Sequence, residues 1–225
     1  MFNRGYILFC IVSITFAQND PFESLNRAVY GFNYVIDSSF FRPIIKVYRN
    51  SPQFVIQSVS NFSNNLTAPL RFVSLLLAGN FSDAKNEFFA FILNSTVGIL
   101  GFLDPSKELG ILTTEFDLDL TLKAWGVDTG PFLMLPLLGP SSLRALCPSF
   151  LSNFLTPDFW LVREHDKWYG LIVVEGINKR SNLEPFIENV EKMSFDTYTI
   201  VRNFYLTNRS INFKLDGDDL MDEDY

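Results

Sequence analysis

The sequence predicts an all-helical single domain of short amphipathic helices. Apolar residues recur at helical spacing in several segments, whereas no alternating pattern with a turn is strong enough to predict a β-hairpin. Hydrophobic residues make up 48% of the 225 residues and aromatic residues 16%, and the chain contains 24 Phe. No uninterrupted apolar run reaches the roughly 18–20 residues of a spanning helix. We therefore expect large apolar surfaces held at a membrane, or a core unusually rich in Phe.

The N-terminus has the pattern of a secretory signal peptide. Arg4 precedes an apolar run over residues 6–12, and Thr15-Phe16-Ala17 has the small-x-small pattern of a cleavage site. We expect cleavage after Ala17, a folded body over residues 18–215 and an acidic tail over residues 216–225.

Two alternatives to this cleavage are an uncleaved anchor and a lipid attached to Cys10. Lipoprotein processing prefers small residues just before the modified cysteine, whereas the bulky Leu8 and Phe9 stand there. Cleavage at Cys10 would also leave a very short apolar region. Cleavage after Ala17 is therefore the favoured prediction.

The net charge of −7 is concentrated in the tail, because the last ten residues hold six carboxylates. The body over residues 18–215 carries only about −2. Clustered carboxylates repel one another and bury no apolar surface, so we expect the tail to be disordered. No basic stripe stands out, so nucleic-acid binding is not supported.

Four helices are predicted before residue 80. The first carries apolar residues at positions 25, 29, 32 and 36, which lie on one helical face. A short second helix follows Arg42-Pro43, and a third starts at Pro52 and ends in the turn-rich run 60–66. Thr67 is expected to cap a fourth helix, which Pro69 begins and Gly79 closes.

A fifth helix is predicted over residues 83–97, with Ser82 as its cap. Its apolar face includes Phe88 and Phe91, and Glu87 is expected on the opposite, polar face. Helical patterning resumes at residue 158 and runs past Gly176 towards residue 182. The last helix is expected to begin near residue 196, with an aspartate as its N-cap.

The apolar stretch from Trp125 to Arg144 cannot be one long helix, because three prolines interrupt it. Its backbone N–H and C=O groups need partners, so we expect it to be folded against other protein. A buried irregular loop is the simplest interpretation of its composition. Ser141 is predicted to cap a helix that starts at Leu143.

The residues give no sign of a catalytic centre. The sequence contains no G-x-x-x-x-G-K-[ST] phosphate loop, no G-x-S-x-G elbow and no H-E-x-x-H motif. His165 is the single histidine, and Cys147 is the single cysteine besides Cys10, so a zinc site is not expected. Asp117 and Asp119 could form a carboxylate pair. An enzyme is disfavoured, and no cofactor or metal is predicted.

Several motifs resemble the MlaA (VacJ) family of outer-membrane lipid-transport proteins. The longest is W-G-V-x-x-G-P-F-x-x-L-P-L-x-G-P-S-S-L-R over residues 125–144, in which Phe132 replaces the family's usual Tyr. Ala145 replaces the Asp that often follows this motif. Further matches are D-P-x-E-x-x-N-R from Asp20, S-N-F from Ser60 and N-S-T from Asn94. The resemblance covers nearly the whole body, from residue 20 to about residue 209.

The resemblance implies a ring of helices around an amphipathic pore, lying in the inner leaflet of the outer membrane. It implies association with outer-membrane porin trimers. It also implies movement of misplaced phospholipid from the outer leaflet towards a periplasmic carrier protein, which maintains lipid asymmetry. The sequence contains no means of consuming ATP, so a passive conduit is expected. The alternative is a helical envelope scaffold that binds porins without transporting lipid.

Three sets of candidate residues follow from the motifs and the resemblance. The lipid path or pore is expected at Trp125, Gly126, Gly130, Pro131, Phe132 and Pro136. A structural polar network is expected at Asn26, Arg27, Asn65, Asn94, Arg144 and Arg202. Membrane contact is expected at Phe72, Leu76, Phe88, Phe89 and Phe91.

Overall fold

The computed structural model describes residues 20–155, 165–193 and 196–210. The α-helices in these ranges are α1 (Glu23–Ile36), α2 (Arg42–Arg49), α3 (Gln53–Ala78), α4 (Phe81–Thr96), α5 (Pro105–Glu108), α6 (Leu118–Ala124), α7 (Leu143–Leu155), α8 (His165–Met193) and α9 (Thr197–Ser210). A π-helix (Asp37–Phe41) joins α1 to α2. Strands β1 (Phe132–Leu135) and β2 (Gly139–Ser142) form an antiparallel hairpin between α6 and α7. The predicted all-helical fold class is confirmed, but the hairpin was not predicted.

Helix α3 is one helix of 26 residues where the sequence predicts two short ones. Pro69 lies inside it and has no N–H to offer the carbonyl of Asn65, one turn earlier. Side chains bind the neighbouring carbonyl instead: the Thr67 hydroxyl and Arg71 Nη2 donate to the carbonyl of Asn64 at 3.1 and 2.9 Å. The predicted cap at Thr67 is therefore wrong, because Thr67 lies inside the helix and its hydroxyl donates to the carbonyl of Asn64.

Three helix ends also differ from the prediction. Asn80 rather than Ser82 caps α4, because its side-chain oxygen accepts the N–H of Asp83 at 3.1 Å. Ser142 rather than Ser141 caps α7, because its hydroxyl accepts the N–H three residues later at 3.3 Å. Helix α8 continues to residue 193, beyond the predicted end near residue 182.

The apolar core consists of two separate clusters of buried side chains. The first lies between α3, α4 and the segment that leads into α6, and contains Leu75, Ala84, Phe116 and Leu120. The second lies between the hairpin, α1 and α9, and contains Phe132, Met134 and Tyr198. The second cluster and the hairpin together form one wall of the site described below.

A buried ion pair crosses between α3 and α4. Glu87, predicted on a polar face, is wholly buried, and its Oε1 accepts from Arg71 Nε at 2.8 Å. Burial raises the pKa of the Glu87 carboxyl, and the Arg71 guanidinium only partly offsets this effect. The prediction failed because helical periodicity does not show where a neighbouring helix will pack.

Candidate functional site

The β-hairpin is attached to α1 by the side chain of Asn26. Its Nδ2 donates to the carbonyl of Phe132 at 3.1 Å, and its Oδ1 accepts the N–H of Met134 at 2.9 Å. Asn26 is 1% exposed, so these bonds form away from water. One amide side chain therefore occupies two backbone groups of β1 that face away from β2.

Asn33 repeats this arrangement two helical turns later. Its Nδ2 donates to the carbonyl of Leu135 at 2.9 Å, and its Oδ1 accepts the N–H of Leu137 at 2.8 Å. Leu137 has a left-handed backbone (φ 64°), which a residue with a side chain adopts at a cost. Asn33 thus holds the strained tip of the hairpin against α1.

Helix α9 is tied to α1 by Arg27. Its guanidinium donates to both carboxylate oxygens of Asp196 at 3.0 and 2.8 Å, and lies 4.5 Å from the centre of the Tyr198 ring. Asp196 also accepts the N–H of Thr199 at 3.2 Å, which confirms it as the N-cap of α9. The hydrogen bonds from Arg27 hold the pKa of the Asp196 carboxyl well below its usual range.

Asp20 also links α1 to α9. Its carboxylate accepts from the Nδ2 of Asn26 at 3.0 Å and from the Tyr198 hydroxyl. Arg202 forms an ion pair with it at 3.8 Å. The motif residues at the start of α1 therefore meet α9 and the hairpin in one polar network.

Arg144 and Asp119 form a buried, bidentate ion pair. Arg144 Nε and Nη2 donate to the two Asp119 oxygens at 2.7 and 3.2 Å, and Nη1 donates to the carbonyl of Val127 at 2.9 Å. Both side chains are 3% exposed or less. Asp119 thus pairs with an arginine, and the pair fixes the turn before the hairpin to α6 and α7.

Asn65 and Asn94 belong to a separate polar cluster between α3, α4 and α5. Asn65 donates to the Ser95 hydroxyl at 2.9 Å, and Asn94 donates to Asp104 and to the Ser106 hydroxyl, both at 3.0 Å. The cluster holds the turn that follows α4. Its role within the described residues is structural support for that turn.

A partly open cavity of about 390 Å³ lies between α1, the π-helix, the hairpin tip, α8 and α9. Its wall is mostly apolar, and includes Ile36, Phe41, Met134, Leu137, Leu138, Leu183, Ile187, Val190 and Val201. Its volume falls in the range of small-molecule binding sites.

Charged side chains occupy one side of the cavity wall. Asp37 accepts from Arg42 Nε at 3.0 Å and from Arg180 Nε and Nη2 at 2.7 and 2.9 Å. Arg180 also donates to Glu184 at 2.6 Å, and Arg42 donates to Glu191. Burial acts to raise the pKa of the Asp37 carboxyl, but the hydrogen bonds from the two arginines outweigh it, so the pKa lies below its usual value. The cavity is therefore amphipathic.

The π-helix places Asp37 and Phe41 in this wall. Its i→i+5 turns are wider than those of an α-helix and are found frequently at functional sites. Asp37 is the first residue of the π-helix and Arg42 directly follows its last, so one ion pair joins the start of the π-helix to the residue after its end.

The six predicted pore residues do not line this cavity, whereas their neighbours in the hairpin do. Met134 and residues 137–140 face it. Trp125 is exposed and donates its indole N–H to the carbonyl of Leu77 at 2.9 Å. Gly126 follows Trp125 with a left-handed backbone (φ 83°), and the carbonyl of Pro131 accepts the N–H of Leu143 at 3.1 Å. Phe132 is buried in the second core cluster, and Pro136 is exposed at the hairpin tip.

Gly130 has a structural requirement of its own. Its φ of 68° is left-handed, and an added Cβ would lie 3.2 Å from the Cβ of Leu143.

Sequence reasoning missed the charged residues of α8 that line the cavity. Arg180 and Glu191 line the cavity and Glu184 pairs with Arg180, in a segment whose helical pattern is weak. The available signal was their spacing, because Arg180, Glu184 and Glu191 recur at four and seven residues and so share one face.

An apolar surface lies on the outside of α3 and α4. Leu76, Phe88 and Phe89 are 39%, 44% and 54% exposed, while Phe72 and Phe91 are half-buried. Exposed apolar patches of this kind mark membrane or partner contacts. Within the described ranges, no helix is both long and apolar enough to cross a bilayer.

The described part of the chain contains no group of three His, Cys, Asp or Glu placed to hold a metal ion. The possible lipidation site Cys10 and the single histidine's side chain lie outside the described residues. Cys147 is exposed and forms no disulfide.

Comparison with known proteins identifies relatives along most of the chain. The model of the family described as MlaA lipoprotein matches residues 18–212. The intermembrane phospholipid transport system lipoprotein MlaA of Escherichia coli is 31% identical over 195 residues, which cover 84% of this chain and 76% of that protein. An uncharacterized protein of Rickettsia felis is 31% identical over 185 residues, or 82% of this chain and 74% of that protein.

A solved structure from work on the structural basis for maintenance of bacterial outer membrane lipid asymmetry superposes with a TM-score of 0.74. The two chains are 30% identical, and the match covers 85% of this chain and 97% of the solved chain. The chain that carries the hairpin motif and the Asn26-Arg27 network thus has relatives both in sequence and in structure. The chain belongs to the MlaA lipoprotein family.

Proposed function

We propose that this chain is a passive conduit for phospholipids. It moves misplaced phospholipid from the outer leaflet of the outer membrane towards a periplasmic carrier protein and so maintains lipid asymmetry. The observation that best supports this function is the amphipathic cavity between α1, the hairpin and α8. The relatives named for intermembrane phospholipid transport support the choice of phospholipid.

The physical need for such a cavity follows from the structure of a phospholipid. Exposing an acyl chain to water costs about 0.8 kcal/mol for each CH₂ group, so the chains must stay against apolar surface during transfer. The polar head needs hydrogen-bonding partners of its own. The leucine, isoleucine and valine side chains of the cavity meet the first need, and the Asp37–Arg42–Arg180 ion pairs meet the second.

We place the protein at the periplasmic face of the outer membrane. The exposed apolar side chains of α3 and α4, among them Leu76 and Phe89, provide a surface for the acyl layer. Porin trimers and a periplasmic lipid carrier are the proposed protein partners. No ATP-binding motif occurs in the sequence, so the direction of transfer depends on these partners.

Blocking the cavity tests this function. Gly176 lies in α8 and lines the cavity, and no heavy atom lies within 4 Å of a Cβ built there. Gly176→Trp should therefore fill the cavity without disturbing the backbone. The matched control is Gly170→Trp, in the same helix, equally open and outside the cavity wall.

The readout is outer-leaflet phospholipid in a strain that lacks the native protein and expresses each variant at equal level. We expect Gly176→Trp to abolish the restoration of asymmetry and Gly170→Trp to preserve it. If both variants restore asymmetry equally, the conduit is wrong and the porin-binding scaffold is favoured.

A further inference from the structure

One side of helix α2 is attached to the protein, and the rest of the helix faces outward. Ile45 is fully buried, and the Tyr48 hydroxyl donates to the side-chain oxygen of Asn178 in α8 at 3.1 Å. Arg42, the first residue of α2, donates to Glu191 of the same helix α8. The exposed residues of α2 are Pro43, Ile44, Lys46, Val47 and Arg49.

The outward side of α2 has an apolar edge and a basic edge. Ile44 and Val47 form the apolar edge and are 47% and 73% exposed. Arg42, Lys46 and Arg49 follow one another at helical spacing and form the basic edge. Because an α-helix turns by about 100° per residue, the two edges lie on opposite borders of the exposed arc. A helix with this division fits the surface of a leaflet, with one edge towards the acyl chains and the other at the head groups.

The basic edge carries positive charge that the protein does not compensate. Residues 38–82 contain no Asp or Glu, although the whole chain has 25 of them. Arg42 is held by two carboxylates. Lys46 and Arg49, in contrast, form no ion pair with any residue in the described ranges. An anionic partner would therefore meet two exposed cations on this edge.

We infer that α2 docks on the anionic surface of a phospholipid leaflet. Lys46 and Arg49 bind the phosphates of anionic head groups, and the apolar edge enters the upper part of the acyl layer. A lipid surface supplies both chemistries within the width of one helix, which is why we choose it over a protein partner. Arg42 belongs to the same edge and lines the cavity, so docking holds the charged wall of the cavity at the level of the head groups.

This inference rests on the proposed membrane placement and adds to it a second contact surface with a requirement for lipid charge. It is tested by flotation of purified full-length protein with vesicles. One set consists of dioleoyl phosphatidylcholine alone, and the other is an equimolar mixture with dioleoyl phosphatidylglycerol. The wild type should bind the mixed vesicles about twentyfold more tightly, because each Lys or Arg near an anionic surface contributes about fivefold. High salt should remove this preference.

Three variants separate charge from apolar contact. Lys46→Gln with Arg49→Gln should bring the two affinities close together. Lys107→Gln with Lys192→Gln removes the same charge from two other exposed lysines and should keep the preference. Val47→Asn should weaken binding to both kinds of vesicle by a similar factor and leave their ratio unchanged. Circular dichroism checks that each variant keeps its helical content.

The outcomes distinguish this inference from the conduit. Equal binding of the wild type to both vesicles, or a full preference in the Lys46 and Arg49 double variant, would overturn the docking of α2 on anionic lipid. The conduit would then stand, because neither residue lines the cavity. If the wild type binds neither kind of vesicle, the docking of α2 and the proposed membrane placement both fail, and a protein partner is favoured for this surface.

Discussion

Asn26 and Met134 are 108 positions apart in the chain, yet the Asn26 side-chain oxygen accepts the Met134 backbone N–H at 2.9 Å in the buried interior. The same amide donates to the carbonyl of Phe132. One side chain of α1 thereby forms hydrogen bonds with two backbone groups of β1. These bonds position the hairpin, and the tip of the hairpin lines the cavity.

Replacing Asn26 should therefore damage the fold. Asn26→Leu keeps the approximate volume but leaves a buried carbonyl and a buried N–H without partners, at about 1–3 kcal/mol for each group. We expect a total loss of about 2–6 kcal/mol in the free energy of unfolding, measured by urea denaturation. A loss under about 0.5 kcal/mol would show that water replaces the amide and that the anchor is unimportant.

Asn33 should affect function more than stability. Its partners lie at the hairpin tip, where the N–H of Leu137 is exposed and can bind water when the amide is removed. Asn33→Ala should cost no more than about 1.5 kcal/mol in stability. It should nevertheless reduce phospholipid transfer severalfold, because the tip that forms part of the cavity wall is released. Transfer equal to that of the wild type, at equal protein level, would contradict the role of the tip.

The buried pair of Arg144 and Asp119 predicts a strongly non-additive result. Arg144→Met should cost about 3–5 kcal/mol, because it leaves the Asp119 carboxylate buried without its main partner. The double variant Arg144→Met with Asp119→Leu should be more stable than Arg144→Met alone. Thermal unfolding of the single and double variants measures the coupling, and simple additivity of the two losses would contradict the pairing.

Much of the fold could be predicted, because helical spacing and the family motifs are local in sequence. The polar roles of Asn26, Arg27 and Arg144 were expected from the motifs, and each side chain does bridge separate elements. The hairpin could not be predicted, because β1 pairs with the side chains of Asn26 and Asn33 in α1, which is distant in the sequence.

The continuous course of α3 through Pro69 also could not be predicted, because a proline in a helical pattern predicts a helix boundary. The cavity was missed for a different reason. Its charged wall joins the π-helix and α2 to α8, across 143 positions between Asp37 and Arg180.

The pH dependence of stability should carry a contribution from Asp37. Its pKa in the folded protein is below the unfolded value of about 3.9, so its stabilising effect is full above that pH and is lost as the pH falls through the folded pKa. The stability difference between the wild type and Asp37→Asn should therefore shrink as the pH is lowered from 6 towards about 3. Asp128→Asn, at an exposed aspartate, is the control. A difference that stays constant over this range would contradict the pairing of Asp37 with the two arginines.

Membrane attachment should depend on the exposed side chains of α3 and α4. Leu76→Glu with Phe89→Glu places two charges on the outer surface, so we expect release from the membrane fraction with helical circular dichroism retained. Leu75→Glu is the matched control, because Leu75 is fully buried and its replacement should unfold the protein. Cys10→Ala should leave the protein in the outer-membrane fraction. Full release by Cys10→Ala alone would instead favour attachment through a lipid.

Photo-crosslinking from the cavity wall tests most directly whether phospholipid occupies the cavity. A photo-reactive phenylalanine derivative is introduced at Ile187, which lines the cavity, and separately at Ile177, a half-buried isoleucine of the same helix outside the wall. After irradiation in cells with radiolabelled phospholipid, we expect label on the protein carrying the group at Ile187 and little on the one carrying it at Ile177. Equal labelling at both positions, or none at Ile187, would contradict the cavity as the lipid path.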